Sequence, residues 1–338
     1  MPQRRALLQE WLDKTLGGSG HELRIASGDA SFRRYWRLSL GSRSLILMDA
    51  PPGFEDVERF VRIAGAWREL GLNTPEVYAQ EPELGLVLME DLGERLYLAE
   101  LDERSADRLY GDALGALAAI QACAPMADLP EYDAPFLRRE MTLFDEWLLG
   151  RYLGLQLTAA ERDALDQAFD VLIGSALEQP RVCVHRDFHS RNLMVTAPPS
   201  PGILDFQDAV AGPVTYDLVS LLRDCYVAWP KERVEEWAWG FFQLAVQSGI
   251  LRPEHERGFP RWFDLMGVQR HLKASGIFAR LALRDGKPGY LGDIPRTLDY
   301  VVEVAGRYPD LEPLAALVRE RVLPAFHFVR RGDAPAGA

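Results

Sequence analysis

Leu7, Leu8, Trp11, Leu12 and Leu16 recur at the three- and four-residue spacing of one helix face, so an amphipathic helix is predicted over residues 5–16. The period then shortens to two. Arg33 to Leu38 alternates and Ser44 to Met48 is a compact apolar run. Leu40-Gly41-Ser42-Arg43 between them has the composition of a hairpin turn. A second helix is predicted from about Glu55 to Leu70, ending at Gly71, which suits the backbone of a helix C-terminus. Two more strands, Val77 to Gln80 and Gly85 to Met89, run into Glu90-Asp91-Leu92-Gly93, where the pattern breaks.

Beyond Gly93 helical spacing dominates. Ser105 is placed to cap a helix carrying Leu109, Ala113, Leu114, Leu117 and Ile120. Thr158 and Glu161 form a reciprocal capping pair for a helix through Leu165, Phe169 and Leu172. Val182-Cys183-Val184 and Gly202-Ile203-Leu204 are short apolar pieces, separated by a Pro-rich surface turn over residues 197–201. From Tyr216 the chain is again mostly helical. The expected fold class is α+β and bilobal: a strand-rich lobe over residues 1–92, a larger helical lobe over residues 93–330, and a flexible tail over residues 331–338. The hinge is expected near Glu90–Gly93.

Composition narrows the partners. The chain of 338 residues is 48% hydrophobic and 26% charged, a globular balance, with a formal net charge of -12. Such a surface repels phosphate polyanions, so no nucleic acid and no anionic membrane is expected as a partner. Cys123, Cys183 and Cys225 form no CxxC pair, which suits a reducing compartment. Arg4-Arg5 is followed by Gln9, Glu10, Asp13 and Lys14, so no apolar export core follows it. No run approaches the roughly 18 apolar residues of a spanning helix. The expected location is cytoplasmic.

The sharpest chemical signal is His185-Arg186-Asp187-Phe188-His189-Ser190-Arg191-Asn192, followed by Asp205-Phe206-Gln207. Asp187 is a loop carboxylate directly after an apolar strand, placed to accept a hydroxyl proton. Asn192 offers a neutral oxygen to a metal, and Asp205 ends the next apolar piece as a hard anionic ligand. Phosphoryl transfer asks for such a set: an oriented hydroxyl, magnesium on oxygen ligands, and a cradle for the nucleotide. His185, Asp187 and His189 also alternate like a metal-hydrolase cluster. That reading needs further ligands, and His21, His255, His271 and His327 form no second cluster. His185 and His189 read instead as buried residues that hold the loop.

The pattern His-x-Asp-x-x-x-x-Asn followed by Ile-x-Asp-Phe resembles the kinase-like phosphotransferases, in particular the relatives of aminoglycoside phosphotransferases and choline kinases. Gly212-Pro213 with Tyr216-Asp217-Leu218 is similar to a further element of that family. The resemblance implies a protein-kinase-like fold, with a small antiparallel-sheet lobe and a mainly helical one. It implies Asp187 as catalytic base, Asn192 and Asp205 as Mg²⁺ ligands, ATP as co-substrate, and Asp217 as a structural partner of the catalytic loop. The nucleotide would be covered by Gly28, Asp29 and Ser31 and met at the hinge by Met89, Glu90 and Leu92. One departure stands out. The family's phosphate-binding lysine falls at Met48, and no glutamate falls at the matching place around Phe60 to Ile63. Arg34, on the neighbouring strand, is expected to supply the missing charge.

Residues 28–37, 45–52, 184–195, 203–226 and 269–291 are similar, more narrowly, to bacterial anomeric kinases of N-acetylmuramate and N-acetylglucosamine. That likeness implies a small-molecule sugar substrate, phosphorylation of its anomeric hydroxyl, and a place in cell-wall recycling. Met48 suits this subgroup. Arg270, Lys273, Arg280 and Arg284 fall within about 80° of one helical wheel, a stripe able to meet a muramate carboxylate. The competing reading of the stripe is a solvated helix face. Two rival functions stand beside this one: a phosphotransferase for another hydroxyl acceptor, such as an aminoglycoside or choline, and a nucleotide-binding pseudokinase, motivated by Met48.

Overall fold

A computed structural model describes residues 2–18, 21–27, 33–41, 43–53 and 56–331. The chain runs α1 (Pro2–Leu16), β1 (Leu23–Ser27), β2 (Arg34–Leu40), β3 (Arg43–Asp49), α2 (Val57–Glu69), β4 (Val77–Glu81), β5 (Leu86–Glu90), α3 (Tyr97–Glu100), α4 (Ala106–Cys123), α5 (Ala134–Leu143) and α6 (Ala159–Leu177). It continues through β6 (Arg181–Val184), β7 (Leu193–Met194), β8 (Gly202–Ile203), β9 (Val210–Pro213), α7 (Tyr216–Leu222), α8 (Lys231–Gln247), α9 (Phe259–Arg284), α10 (Ile294–Ala305), α11 (Glu312–Leu317) and α12 (Leu323–Arg331). An antiparallel sheet lies early in the chain and helices dominate after it. Two compact units are formed: Met1–Ala116 with Arg191–Gln207, and Leu117–Ser190 with Asp208–Ala338. Residue 92, where the sequence pattern breaks, falls inside the first unit.

In the first unit, a five-stranded antiparallel sheet has the order β1-β2-β3-β5-β4. Alternation assigns its two faces. Leu38, Leu45, Leu47, Leu86 and Leu88 bury one face against Leu8, Trp11 and Leu12 of α1. Arg4 of α1 pins that face at its edge, donating to Asp49 Oδ1 at 2.7 Å. Met48 and Met89 are buried on the opposite face. The short hairpin β7–β8 returns to this unit. Strand β1 has no counterpart in the sequence reading, because Leu23–Ser27 shows neither alternation nor an apolar run and Ile25 is 71% exposed.

The second unit is built around α9, a helix of 26 residues with seventeen buried positions from Phe259 to Leu281. Helix α6 carries the expected reciprocal cap: Thr158 N–H donates to Glu161 Oε2 at 2.7 Å, and Glu161 N–H donates to Thr158 Oγ1 at 3.3 Å. Asp133 caps α5 by accepting from Phe136 N–H at 2.9 Å, and α5 runs on into a π-helical stretch, Phe144–Tyr152. Helix α9 crosses that junction at Gly276, where a Cβ would stand 2.3 Å from the Leu143 carbonyl carbon and 2.4 Å from its oxygen. Both obstacles are backbone, so only glycine permits the crossing. The β6–β9 ladder, Val184 opposite Val210, ends at His185 and so delivers the loop that carries Asp187. Among the described residues no helix is long and apolar enough to cross a membrane.

Gly276→Ala should destabilise the protein by about 1–3 kcal/mol or more, the scale of overpacking against atoms that cannot move away. Thermal melting checks it, and a melting point equal to that of the wild type would contradict the close crossing.

Candidate functional site

The loop after β6 is tied down at both ends by buried carboxylates, each from the region of α7. Asp217 accepts from His185 N–H at 2.6 Å and from Arg186 N–H at 2.9 Å. Asp224, just past α7, accepts from Ser190 N–H at 3.0 Å, Ser190 Oγ–H at 2.5 Å and, on its other oxygen, Tyr226 N–H at 3.0 Å. Between these anchors Asp187 donates its own N–H to His185 Nδ1 at 3.2 Å. The expectation that Asp217 and His185 hold the loop therefore matches the bonds they make. Arg186 is forced to a φ of 77°, a left-handed conformation unusual for arginine, and the two anchors over-determine it.

Electrostatics set the state of Asp187. Burial alone would raise its carboxyl, but the charge of Lys273, followed by those of His189, Arg186 and Arg270, holds it at about 2. Burial pushes Asp217 the other way, up to about 7, and the neighbouring Asp187 charge adds to that. The proton therefore goes to Asp217 first, and Asp187 stays ionised.

The cations are themselves held. Glu140, on α5, meets Lys273 Nζ at 3.0 Å and also receives the Arg186 guanidinium and the Tyr132 hydroxyl. Burial would raise the Glu140 carboxyl, and Lys273 and Arg186 pull it below its usual value. Lys273 also donates to Tyr216 Oη at 2.8 Å. The basic stripe is thus not a solvated face. Arg270 and Lys273 are buried, Arg280 is half-buried, and only Arg284 is exposed. Lys273 is committed to Glu140 and Tyr216, and Arg270 donates to Cys225 Sγ at 3.5 Å.

In the first unit, Asp205 follows β8 with a φ of 61°, a conformation that aspartate tolerates better than most residues. Phe206 anchors it, lying 4.9 Å from the Phe60 ring and 5.6 Å from the Trp67 ring of α2. The two carboxylate oxygens are used differently. Oδ1 accepts from Arg33 Nη2 at 2.8 Å and Gln207 Nε2 at 2.9 Å, whereas Oδ2 lies 3.5 Å from the Asn192 amide. Rotating that amide by half a turn presents its oxygen instead. Asn192 and Oδ2 then offer two hard oxygens on one side, which fits a magnesium ion completing its shell with phosphate oxygens and water. No group of three or more His, Cys, Asp and Glu side chains able to hold a metal exists among the described residues.

The remaining nucleotide expectations are placed as follows. Gly28, Asp29 and Ser31 lie outside the described residues. Met89 is buried on the same sheet face as Met48. Glu90 N–H donates to Glu76 O at 2.8 Å. Leu92 packs its Cδ1 close to Gly202 and, with Glu90, Arg68, Asn73 and Thr196, lines a groove of about 670 Å³. Neither Met48, Asn192, Asp205 nor Arg33 lines that groove. Arg34 is exposed at the start of β2 and shares the α1 face, whereas Arg33 donates to Asp205. Arg33, Gln207, Glu140 and Asp224 were not singled out from the sequence as site residues. The signal for Arg33 was strand parity, since it shares its face with Met48. Nothing local links Asp224 to Ser190.

Comparison with known proteins bears on the family and the fold. The profile of the phosphotransferase enzyme family (APH) matches residues 22–255. An N-acetylmuramate/N-acetylglucosamine kinase of Pseudomonas putida is 45% identical over 333 residues, covering 95% of this chain and 98% of that protein. A kinase of the same description from Pseudomonas aeruginosa is 48% identical over 297 residues, covering 88% of each. Among solved structures, the choline kinase LicA of Streptococcus pneumoniae superposes with a TM-score of 0.62 at 13% identity, over 88% of this chain and 98% of that one. That likeness speaks for the fold.

Asp224→Ala would leave two donors of the loop, Ser190 N–H and Oγ–H, and also Tyr226 N–H without an acceptor. It should cost at least about 3 kcal/mol of stability, at roughly 1–3 kcal/mol for each buried group left unmade. Urea unfolding measures it, and a loss under 1 kcal/mol would show that the loop does not depend on this anchor.

Proposed function

Because the chain belongs to the phosphotransferase enzyme family, we propose that it transfers the γ-phosphoryl group of ATP to the anomeric hydroxyl of N-acetylmuramate, N-acetylglucosamine or both. The acceptor is inferred from the Pseudomonas relatives, whose likeness extends over nearly the whole chain. A role in cell-wall sugar recycling in the cytoplasm follows from that acceptor. The observation that carries the chemistry is Asp187: a carboxylate kept ionised by surrounding cations, on a loop pinned at both ends.

In the proposed reaction the sugar oxygen bonds to the γ-phosphorus, the bond from that phosphorus to the β–γ bridging oxygen breaks, and ADP leaves. The hydroxyl proton passes to an Asp187 oxygen. A carboxylate held at about 2 is a weak base. Phosphoryl transfer has a loose transition state, so the hydroxyl needs orientation more than early deprotonation. An anomeric hydroxyl is also more acidic than an ordinary alcohol. Asn192 and the Oδ2 edge of Asp205 would hold Mg²⁺, which would supply positive charge to offset that of the phosphates. Met89 and the Glu90 carbonyl would meet the base, with Leu92 beside them. Lys273, Arg186 and Arg270 would act on the acceptor step through the charge state of Asp187.

The test is product analysis by phosphorus and proton NMR after incubation with ATP, Mg²⁺ and each sugar. The expected product carries phosphate on the anomeric carbon. Asp187→Asn should lower turnover about a hundredfold or more while the fold persists. A phosphate on the six-position hydroxyl, or turnover confined to choline or an aminoglycoside, would sink the assignment. Nucleotide binding without any turnover would favour a nucleotide-binding module instead.

A further inference from the structure

We propose that Arg280 recognises an acid group on the acceptor and so sets the preference for N-acetylmuramate over N-acetylglucosamine. The inference rests on the kinase reading above and names the side chain that decides its acceptor. Burial along α9 supplies the first argument. From Leu265 to Ala279 every position of the helix is buried except Ala274 and Ile277. With Arg280 they make a strip of partly exposed positions three residues apart, each about 4.5 Å further along the axis. Both flanks of the strip are built. On one, Gly276 lies against Leu143 at the end of α5, and Lys273 meets Glu140. On the other, the Phe278 ring lies 6.0 Å from Tyr226 and 5.7 Å from Tyr290. The strip begins beside the catalytic loop. Lys273 and Arg270 act on the charge of Asp187, and the Tyr226 ring lies 5.4 Å from that of His189, two residues past Asp187.

The second argument is charge. Lys273 is matched by Glu140 and Tyr216, Arg270 donates to Cys225, and Arg284 donates to both oxygens of Asp285. Arg280 is the member of this stripe that makes no hydrogen bond or ion pair with the described residues, and its Nε is buried. Burial pushes its guanidinium below the usual value, the Arg284 charge adds to that, and Asp285 offsets part of it. Arginine nevertheless stays charged at neutral pH, and a half-buried charge without a counter-ion is unfavourable. A carboxylate brought by a ligand removes that cost, and the planar fork of arginine can hold it through two parallel bonds. Arg280 lies seven residues past Lys273, about 10 Å along the axis and within about 20° of it around the helix. That span accords with a sugar whose hydroxyl stands at Asp187 and whose acid arm reaches along α9. A cationic acceptor, such as choline or an aminoglycoside, would meet repulsion there.

Steady-state kinetics with ATP, Mg²⁺ and each sugar separate this role from a structural one. Wild type, Arg280→Gln and Arg280→Lys are compared by the ratio of kcat/KM for N-acetylmuramate to that for N-acetylglucosamine. Arg280→Gln keeps an N–H but loses the charge. Its ratio should fall about tenfold to a hundredfold, the value of a charge-assisted hydrogen bond. The loss should lie in the KM for muramate, with kcat within about threefold of wild type, because the contact is equal in ground and transition states. Turnover of N-acetylglucosamine should stay within about threefold of wild type, and the melting point should not fall, since no bond within the protein is lost. Arg280→Lys should retain part of the discrimination. A ratio within about threefold of wild type in Arg280→Gln would overturn the proposal, as would equal losses on both sugars. If Arg280→Gln does not fold, Arg280→Lys decides: a retained ratio supports the proposal, and a folded variant without discrimination refutes it. Should muramate alone be turned over by the wild type, a rise of about tenfold in its KM in Arg280→Gln supports the proposal and an unchanged KM overturns it. A wild type that phosphorylates glucosamine but not muramate removes only this inference, whereas one that phosphorylates neither removes the kinase reading with it.

Discussion

Two buried carboxylates, Asp217 and Asp224, hold the segment from His185 to Ser190 by its own backbone, and the rest of the second unit is arranged around that constraint. Backbone N–H groups at the end of a strand must find acceptors or be left unpaired in the interior. The chain meets that demand with acidic side chains from the region of α7 instead of extending the ladder. The loop gains a fixed shape and, through it, a fixed direction for Asp187. The arrangement is also sensitive to loss, because removing either carboxylate leaves several N–H and O–H donors without their acceptor.

Concentrating carboxylates in this way would ordinarily drive protons onto them. The α9 cations prevent that for Asp187. Lys273 and Arg270 project from a helix that lies close enough to do so only because Gly276 removes a side chain from the crossing with α5. Lys273 is kept in place by Glu140, which also receives Arg186 from the loop itself. Packing, charge and chemistry are therefore one connected problem. A glycine permits a helix crossing, the crossing places cations, and the cations keep the Asp187 carboxylate ionised. In the first unit a parallel economy holds Asp205: the Phe206 ring is packed against Phe60 and Trp67, and Arg33 with Gln207 takes one carboxylate edge.

Much of this was legible in the sequence, and the divide between what was and was not has a physical basis. Local signals worked where the determinants are local. The capping pair of Thr158 and Glu161, the β2–β3 hairpin and the α1 face each depend on residues a few positions apart. The motif from His185 to Asn192 was equally visible, because its residues are consecutive. What could not be read was pairing across long separations: Asp224 with Ser190, Glu140 with Lys273, Arg33 with Asp205. The wheel of Arg270, Lys273 and Arg280 gave the correct angular stripe but could not say that its first two members point inward. Strand β1 was missed because nothing in its composition marks a strand; its place comes from pairing with β2.

In the proposed reaction Asn192 and Asp205 would serve the metal and nucleotide, and Asp187 the acceptor. The most direct test is calorimetric titration of a magnesium–nucleotide complex into Asp187→Asn and Asp205→Asn, with and without Mg²⁺. Asp187→Asn should bind the complex within about twofold of wild type, since the lost charge lies on the acceptor side. Asp205→Asn should lose the magnesium-dependent part of the affinity. Magnesium-dependent binding that survives in Asp205→Asn and disappears in Asp187→Asn would contradict the account.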